Sequence, residues 1–145
     1  MLFRSLITSS LYGVIPALAP IAPHRLDFMT KLKVEKQSLK KLWTETYGQA
    51  IADQETLLSF LSSEFEDVFP KEVRDKMIRF KFMEEKDGKR KVHSTISKKA
   101  RGQFLTALIE DQIQNIEDIK KLSFAGFTYL PDLSSEQELV YVKEA

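Results

Sequence analysis

Residues 93–113 constrain the fold strongly, because they carry a long amphipathic pattern. Apolar residues recur there at spacings of three and four, which predicts a helix with a wide buried face, formed by Phe104, Leu105, Leu108, Ile109 and Ile113. A β-hairpin is predicted directly before this helix, since strand-like segments flank the pair Asp87-Gly88, which is the strongest short-range hairpin signal. A hairpin that leads into a half-buried helix predicts a mixed fold, in which the helix covers a sheet.

Three cations lie near the start of this predicted helix, namely Lys98, Lys99 and Arg101, and Gly102 follows them. A helix N-terminus carries a partial positive charge, so each cation in the opening turn costs roughly 0.3–1 kcal/mol. A bound anion would reverse the sign, because backbone N–H groups and basic side chains together commonly hold phosphate. The sequence therefore predicts an anion site; the alternative is that the lysines are solvated and Arg101 packs its stem on Leu105.

Composition predicts one globular domain over residues 1–145. The chain is 43% hydrophobic and 30% charged, which suffices for one ordinary core. We expect an α+β (mixed α/β) fold with a small mixed sheet and a β-hairpin flanked by helices. The absence of cysteine excludes a disulfide framework, a thiol nucleophile and a zinc finger, and fits a reducing cytosol. No apolar run approaches the roughly 18 residues that a membrane span requires, so no membrane partner is expected.

Charge is distributed unevenly, although the formal net charge is only +1. Residues 86–101 carry seven cations and one acid, a local net charge of +6. Residues 110–145 carry eight acids and three lysines, a local net charge of −5. A polyanionic partner would therefore contact a local basic patch and not the whole surface.

The other segments predict further strands and helices. They are a buried strand at 3–8, a strand-like or loop segment at 11–15, a helix at 38–53 with an aromatic stripe in the core, a strand at 57–61 buried on both faces, hairpin strands at 77–83 and 89–95, a helix at 115–122 capped by Asn115, and a strand at 139–143.

A proline-rich loop carries two further candidate residues, His24 and Arg25. Three prolines before or within this loop force an irregular backbone, and such loops either carry function or cover a core edge. Arg25 is predicted either to hold an anion or to pair with Asp27, and the sequence leaves both alternatives open.

Ser62 and Ser63 follow a predicted strand, where α/β proteins often present ligand groups. Alternatively, Ser63 caps a helical turn and forms a capping box with Glu66. Gly126 follows the predicted second helix in a pattern similar to a helix-hairpin-helix loop, whose backbone N–H groups can hold a phosphate.

The sequence contains none of the common dinucleotide, Walker, nucleophile-elbow or zinc-protease motifs. His24, His93 and a carboxylate of Asp27 or Glu64 could compose a two-histidine iron site, but their spacing gives no support for one. We therefore expect no catalytic residue, no cofactor and no metal.

Eight stretches match the pattern of one protein family. They are SLYGV at 10–14, APHRLDF at 22–28, LW at 42–43, LSSEF at 61–65, the segment 80–89 with its Glu-x-x-x-Gly turn, SKKARG at 97–102, AGF at 125–127 and LV at 139–140. Together they resemble the carboxyl-terminal part of the bacterial peroxide-stress YaaA proteins. The order of Lys-Lys-Ala-Arg-Gly after a Ser-x-Glu-Phe block is the most specific feature of this resemblance.

The resemblance implies a cytoplasmic protein that binds DNA through a positively charged cleft and a helix-hairpin-helix-like element, and that limits free intracellular iron during hydroperoxide stress. By position, the resemblance places five residues at the cleft: Arg25, Lys98, Lys99, Arg101 and Gly102. Additional cleft residues would be His24, Ser62, Ser63, Glu64 and Gly126. Family members usually begin with a longer amino-terminal segment, so we expect the domain to be incomplete at that end.

Three functions remain open at this point. The first is a non-enzymatic stress protein whose cationic turn contacts DNA backbone phosphates. The second is an enzyme that uses the same cations to hold a small anionic, phosphorylated ligand. The third is a truncated chain without activity of its own. The sequence does not define an oligomeric state.

Overall fold

The computed structural model describes residues 3–145. Its strands are β1 Leu6–Ser9, β2 Gly13–Pro16, β3 Lys33–Val34, β4 Gln37–Ser38, β5 Leu57–Ser59, β6 Met77–Lys86, β7 Lys89–Lys91, β8 Thr128–Tyr129 and β9 Glu138–Glu144. Its helices are α1 Leu39–Ala50, α2 Ser63–Glu66, α3 Lys71–Arg74, α4 Ser94–Glu110 and α5 Ile116–Lys121, and a 3₁₀ turn spans Pro131–Leu133.

These residues form two compact units. Residues 4–57 and 61–77 form one, called here the hairpin–helix unit, and residues 3, 58–60 and 78–145 form the other, called the sheet unit. The predicted mixed α+β class is confirmed. The prediction of one domain over residues 1–145 stays a prediction. None of the helices within residues 3–145 is long and apolar enough to span a membrane.

In the hairpin–helix unit, α1 supports the turn between β1 and β2. These strands pair antiparallel, with Ser9 opposite Gly13. Gly13 has a φ of 79°, and a Cβ atom there would lie 2.8 Å from the Trp43 ring, so only glycine fits. The indole of Trp43 donates a hydrogen bond to the Ser10 carbonyl at 2.8 Å, and the Tyr47 hydroxyl donates one to the Ser9 carbonyl at 2.8 Å.

The aromatic stripe of α1 lies in the core of this unit, as predicted. Tyr47 is fully buried, and its ring centroid lies 4.9 Å from that of Phe69 and 6.0 Å from that of Phe28. The predicted buried strand at 3–8 is wrong in its burial, because Ile7 of β1 is 47% exposed. β1 forms a hairpin with β2, and the β-branched and aromatic residues that predicted the strand did not reveal its open face.

The sheet unit contains a mixed sheet in the order β5-β6-β9-β8, with β7 paired to the far end of β6. β6 and β9 run parallel, whereas β8 and β9 run antiparallel. Asp87 and Gly88 close the β6–β7 hairpin with φ values of 52° and 71°, so the predicted hairpin is confirmed. β5 is a terminal strand with half-buried leucines. Leu58 and Phe60 pack against one hydrophobic cluster, and Leu57 and Leu61 pack against another, so the predicted packing on both faces is confirmed, although the burial is partial.

α4 covers one face of this sheet with an aromatic core. Phe104 is fully buried, and its ring centroid lies 4.8 Å from that of Phe80 and 5.1 Å from that of Tyr141. The Tyr141 hydroxyl donates a hydrogen bond to the Ile119 carbonyl at 2.6 Å, which ties α5 to β9. The predicted helix α5, its Asn115 cap and the last strand are confirmed.

Candidate anion-binding site

The amino-terminal end of α4 has free backbone N–H groups. His93 precedes the helix in extended conformation, and its side chain makes no capping hydrogen bond. The first helical hydrogen bond runs from the Ser97 N–H to the His93 carbonyl at 2.9 Å, so the three preceding N–H groups have no helical partner. The first turn also contains no acidic residue. An anion at this end would meet donors and no opposing carboxylate in the first turn.

The cations lie one turn further along than predicted. α4 begins at Ser94, so Lys98, Lys99 and Arg101 belong to its second turn, and their prediction in the opening turn is wrong. The predicted strand at 89–95 ends early for the same reason, because Ser94 already belongs to the helix. The long lysine and arginine side chains remain within a turn of the free N–H groups.

Lys98, Lys99 and Gly102 lie on the helix face opposite the core, and Arg101 lies at the edge of that face, beside the buried side. At 100° per residue they span an arc of about 160°, with Lys98 and Gly102 near its centre. Both lysines and Gly102 are exposed, and Arg101 is half-buried. None of the three cations forms an ion pair or a side-chain hydrogen bond with any residue in 3–145. Their positive charges are therefore not neutralised by described side chains.

Gly102 leaves bare backbone in the middle of this face. A Cβ atom built there meets nothing within 4 Å, so packing within the chain does not require glycine. Glycine in a helix interior costs roughly 0.5–1 kcal/mol relative to alanine. Lys98 precedes Gly102 by four residues and Lys99 by three, which places both beside it on the helix surface. A ligand held by the lysines could therefore approach the backbone closely.

In the hairpin–helix unit, hydrogen bonds hold the loop that carries His24 and Arg25. The Tyr12 hydroxyl accepts one from the Ala22 N–H at 3.2 Å, and the Tyr12 ring contacts the His24 ring edge-on at 5.3 Å. The Ser10 hydroxyl donates to the Leu26 carbonyl at 2.7 Å. The loop is thus fixed against the β1–β2 turn, and sequence reasoning missed these anchors because no periodic pattern marks them.

Arg25 is exposed on this fixed loop and forms no ion pair within residues 3–145. Its alternative partner, Asp27, accepts hydrogen bonds from the Thr30 N–H at 2.9 Å and the Thr30 hydroxyl at 3.0 Å. The alternative of an Arg25–Asp27 pair is therefore wrong. The alternative of an anion at Arg25 stays a prediction.

Ser62 and Ser63 lie at the start of α2, and both are exposed. Ser62 is the N-cap residue, but its side chain makes no capping hydrogen bond. The predicted capping box of Ser63 and Glu66 is wrong, because Ser63 is already the first helical residue. Glu64 accepts a hydrogen bond from the Phe28 N–H at 2.8 Å, so its carboxylate fixes the Arg25 loop.

Gly126 lies in a tight turn between Phe124 and Phe127, whose backbones form a β-bridge. Ala125 and Gly126 have φ values of 45° and 83°, and the chain continues into β8. The prediction of a helix-hairpin-helix loop at Gly126 is therefore wrong. Gly126 also lines an open groove with Glu85, Arg90, Thr128, Leu130, Val142 and Glu144. This groove contains more acid than base and none of the α4 cations.

The structure thus brings four predicted residues together on α4, and it places the others apart from them. His24, Arg25, Ser62, Ser63 and Glu64 belong to the hairpin–helix unit, and Gly126 belongs to the groove of the sheet unit. Within residues 3–145, no group of three or more histidines or carboxylates could hold a metal ion. The two-histidine iron site considered from the sequence is accordingly not formed.

Fold and site define a mixed α+β protein with an unneutralised cationic helix face. The family model of peroxide stress protein YaaA matches residues 3–133. The chain therefore belongs to the peroxide stress protein YaaA family, as the sequence resemblance predicted.

Several streptococcal proteins are similar to this chain over nearly its whole length. An UPF0246 protein of Streptococcus gordonii is 81% identical over 139 residues, covering 96% of this chain. UPF0246 proteins of Streptococcus sanguinis and Streptococcus pneumoniae are 67% and 60% identical over 138 residues, each covering 95% of this chain. The match covers 57% of each of these three relatives, so the chain spans somewhat more than half of their length.

Proposed function

We propose that the chain binds DNA through the cationic face of α4, with Lys98, Lys99 and Arg101 contacting backbone phosphates. The observation that carries this proposal is the combination of three unneutralised cations with the bare backbone of Gly102 on one helix face. Phosphates of a nucleic acid supply the negative charge that these side chains lack within the chain. Arg25, exposed on its fixed loop, is proposed as an additional phosphate contact.

The shape of the α4 face favours an extended ligand over a small one. Small-molecule sites are usually concave and bury most of their ligand, whereas the α4 cations lie on an outward helix face. The groove described above is lined by Glu85, Glu144 and one cation, Arg90, so its net negative charge opposes a phosphorylated substrate. These observations support DNA over the alternative of an enzyme acting on a phosphorylated small molecule.

The resemblance adds a cellular role to this proposal. We propose that the protein acts in the cytoplasm and limits free intracellular iron during hydroperoxide stress, in keeping with its family. The experiment compares chelatable iron after hydroperoxide treatment in cells with and without the gene. Free iron should rise further in the deletion strain, and equal levels would contradict this role.

Fluorescence anisotropy with a short labelled DNA duplex tests the binding proposal. The three proposed phosphate contacts on α4 contribute about −2.7 to the slope of log K against log salt of the wild-type chain, and each additional phosphate contact contributes about −0.9. In the double variant Lys98→Glu/Lys99→Glu two contacts are lost, so the slope should become shallower by about 1.8, and affinity should fall roughly tenfold or more at 0.1 M salt.

The matched control is Lys120→Glu/Lys121→Glu on α5, which changes the net charge equally but removes lysines that are already paired with Glu117 and Asp118. It should retain most of the wild-type affinity. Thermal melting verifies that both variants are folded. Binding that ignores salt, or an equal loss in both variants, would contradict the proposal.

A further inference from the structure

A second basic surface lies in the hairpin–helix unit, outside every site considered above. Residues 31–41 carry five lysines and one acid, Glu35, a local net charge of +4. The segment around the β3–β4 hairpin, which we call the lysine arm (residues 31–38), contains Lys31, Lys33 and Lys36. The first turn of α1 contains the other two, Lys40 and Lys41. Every residue of the arm is exposed.

The charges of the arm are not neutralised within the described chain. Among the five lysines, Lys40 has a carboxylate nearby, since its Nζ lies 3.8 Å from an Asp67 oxygen. Lys31, Lys33 and Lys36 form no ion pair or side-chain hydrogen bond with residues 3–145. Glu35 forms no ion pair with the residues that the structure describes, so it does not offset this charge in that way. The arm therefore presents three lysines whose charge a polyanion could neutralise.

The tip of the arm has an unfavourable backbone for its sequence. Val34 pairs with Gln37 across a two-residue turn, and the two turn residues, Glu35 and Lys36, have φ values of 50° and 67°. This left-handed conformation strongly favours glycine or asparagine. Each strand is only two residues long, and so short a ribbon gains little from its own pairing. A lysine at the tip therefore makes the hairpin less stable but adds a charge.

We propose that the lysine arm is a second nucleic-acid contact, in which Lys31, Lys33 and Lys36 bind backbone phosphates of a DNA duplex. This inference rests on the proposed function and extends it to the hairpin–helix unit. A two-stranded β-ribbon fits the major groove of B-DNA. The arm also exposes Leu32 and Val34, by 47% and 39%, and apolar side chains in that groove contact thymine methyl groups.

The test uses the double variant Lys33→Glu/Lys36→Glu in the whole chain, with the same duplex and salt series. Loss of two phosphate contacts should make the salt slope shallower by about 1.8 and lower the affinity roughly tenfold or more at 0.1 M salt. The control Lys71→Glu/Lys76→Glu makes the same change of charge at exposed positions of the same unit outside the arm, and its affinity should stay within about threefold of wild type.

A neutral variant, Lys33→Gln/Lys36→Gln, keeps the test decisive if charge reversal impairs folding. It should show a smaller loss of affinity in the same direction, together with a wild-type melting curve. If wild-type chain binds DNA but the arm variants match the control, the arm inference is overturned while the proposed function stands. If wild-type chain binds no DNA, both are overturned. If the arm variants lose binding to phosphatidylserine vesicles and keep DNA binding, the arm is a membrane contact and the inference is overturned.

Discussion

At the scale of single residues, we expect Gly102 to lower the stability of the fold and to favour DNA binding. The glycine lies inside α4 on its exposed face, and nothing in the chain occupies the space that a side chain would fill. The folded chain would therefore be more stable with alanine there, because glycine loses more backbone entropy on folding. We attribute the glycine at position 102 to the close approach of the proposed DNA ligand.

The variant Gly102→Ala should accordingly raise the free energy of unfolding by roughly 0.5–1 kcal/mol and lower the affinity for DNA. The added methyl group would hold a phosphate backbone away from the helix between Lys98 and Lys99. Urea denaturation measures the first effect and fluorescence anisotropy the second. Gln103→Ala, also exposed on α4, is the control and should leave affinity unchanged. A more stable Gly102→Ala chain with wild-type affinity would contradict the role of the bare backbone.

Single residues were also where prediction from sequence failed most often. Arg25 and Asp27 are two residues apart, and only the structure shows that Asp27 bonds to Thr30. Glu64 was placed at the cleft by resemblance, yet its carboxylate holds the Phe28 N–H, which lies 36 residues away in sequence. The Glu64 contact depends on tertiary approach, about which local patterns carry no information. The Asp27–Thr30 bond is local, and it competes with the pairing to Arg25 that the sequence also allowed.

At the scale of elements, α4 ends in a Schellman motif without its usual glycine. The Ile113 N–H donates to the Leu108 carbonyl at 3.0 Å, and the Gln112 N–H donates to the Ile109 carbonyl at 3.2 Å. Gln112 has a φ of 52°, in the region that glycine normally occupies at this position. Leu108 and Ile113 pack in the same core, which completes the motif and keeps Gln112 in this conformation.

Replacing Gln112 with glycine should therefore stabilise the chain by about 1 kcal/mol, because the left-handed conformation costs an ordinary L-residue roughly that much. The measurement is the midpoint of urea unfolding at neutral pH. The matched control, Gln114→Gly, lies two residues on, outside the motif, and should not stabilise the chain. If Gln112→Gly lowers the midpoint as much as the control does, the proposed strain is absent.

Elements with strong local signals could be predicted from sequence, whereas their boundaries and exposure could not. The Asp87-Gly88 hairpin, the helix α1 and the Asn115 cap all form, since each depends on neighbouring residues alone. The predicted strand at 89–95 extended past the start of α4, because the β-branched residues Val92 and Thr95 resemble a strand. The open face of β1 was missed because the pairing of a strand, and hence its burial, is decided by distant parts of the chain.

At the scale of the whole molecule, a net charge of +1 conceals separate basic surfaces. The sequence identified the basic stretch at 86–101, but the structure divides it between the β6–β7 hairpin, where Arg90 pairs with Glu85, and the outward face of α4. The lysine arm escaped notice because its cations alternate with apolar residues. Residue types and the family resemblance thus indicated the α4 site from the sequence. The geometry of that site and the existence of the second basic surface became evident only from the fold.

Two buried tyrosines, one in each unit, make the stability of the molecule dependent on alkaline pH. Tyr47 and Tyr141 are fully buried, and their hydroxyls donate to carbonyl oxygens at 2.8 Å and 2.6 Å. Burial raises the pKa of both phenols well above their ordinary value. A raised pKa in the folded state stabilises the fold fully below the unfolded pKa of about 10, and this contribution is lost as pH rises beyond it.

The free energy of unfolding should therefore fall above about pH 10, by at most 1.4 kcal/mol per pH unit for each tyrosine. Tyr47→Phe should be less stable than wild type by about 1 kcal/mol at pH 7, since it loses a buried hydrogen bond, yet its stability should decline less steeply above pH 10. Tyr141→Phe should behave alike, and the stability of the double variant should decline least.

Urea titrations at pH 7, 9, 10 and 11 measure how steeply the free energy of unfolding falls with pH. The control is Tyr12→Phe, a change at a more exposed ring, which should keep the wild-type slope. Because lysines titrate in the same range, the comparison between variants decides the outcome: parallel curves for wild type and both buried-tyrosine variants would show that neither phenol contributes to the alkaline loss.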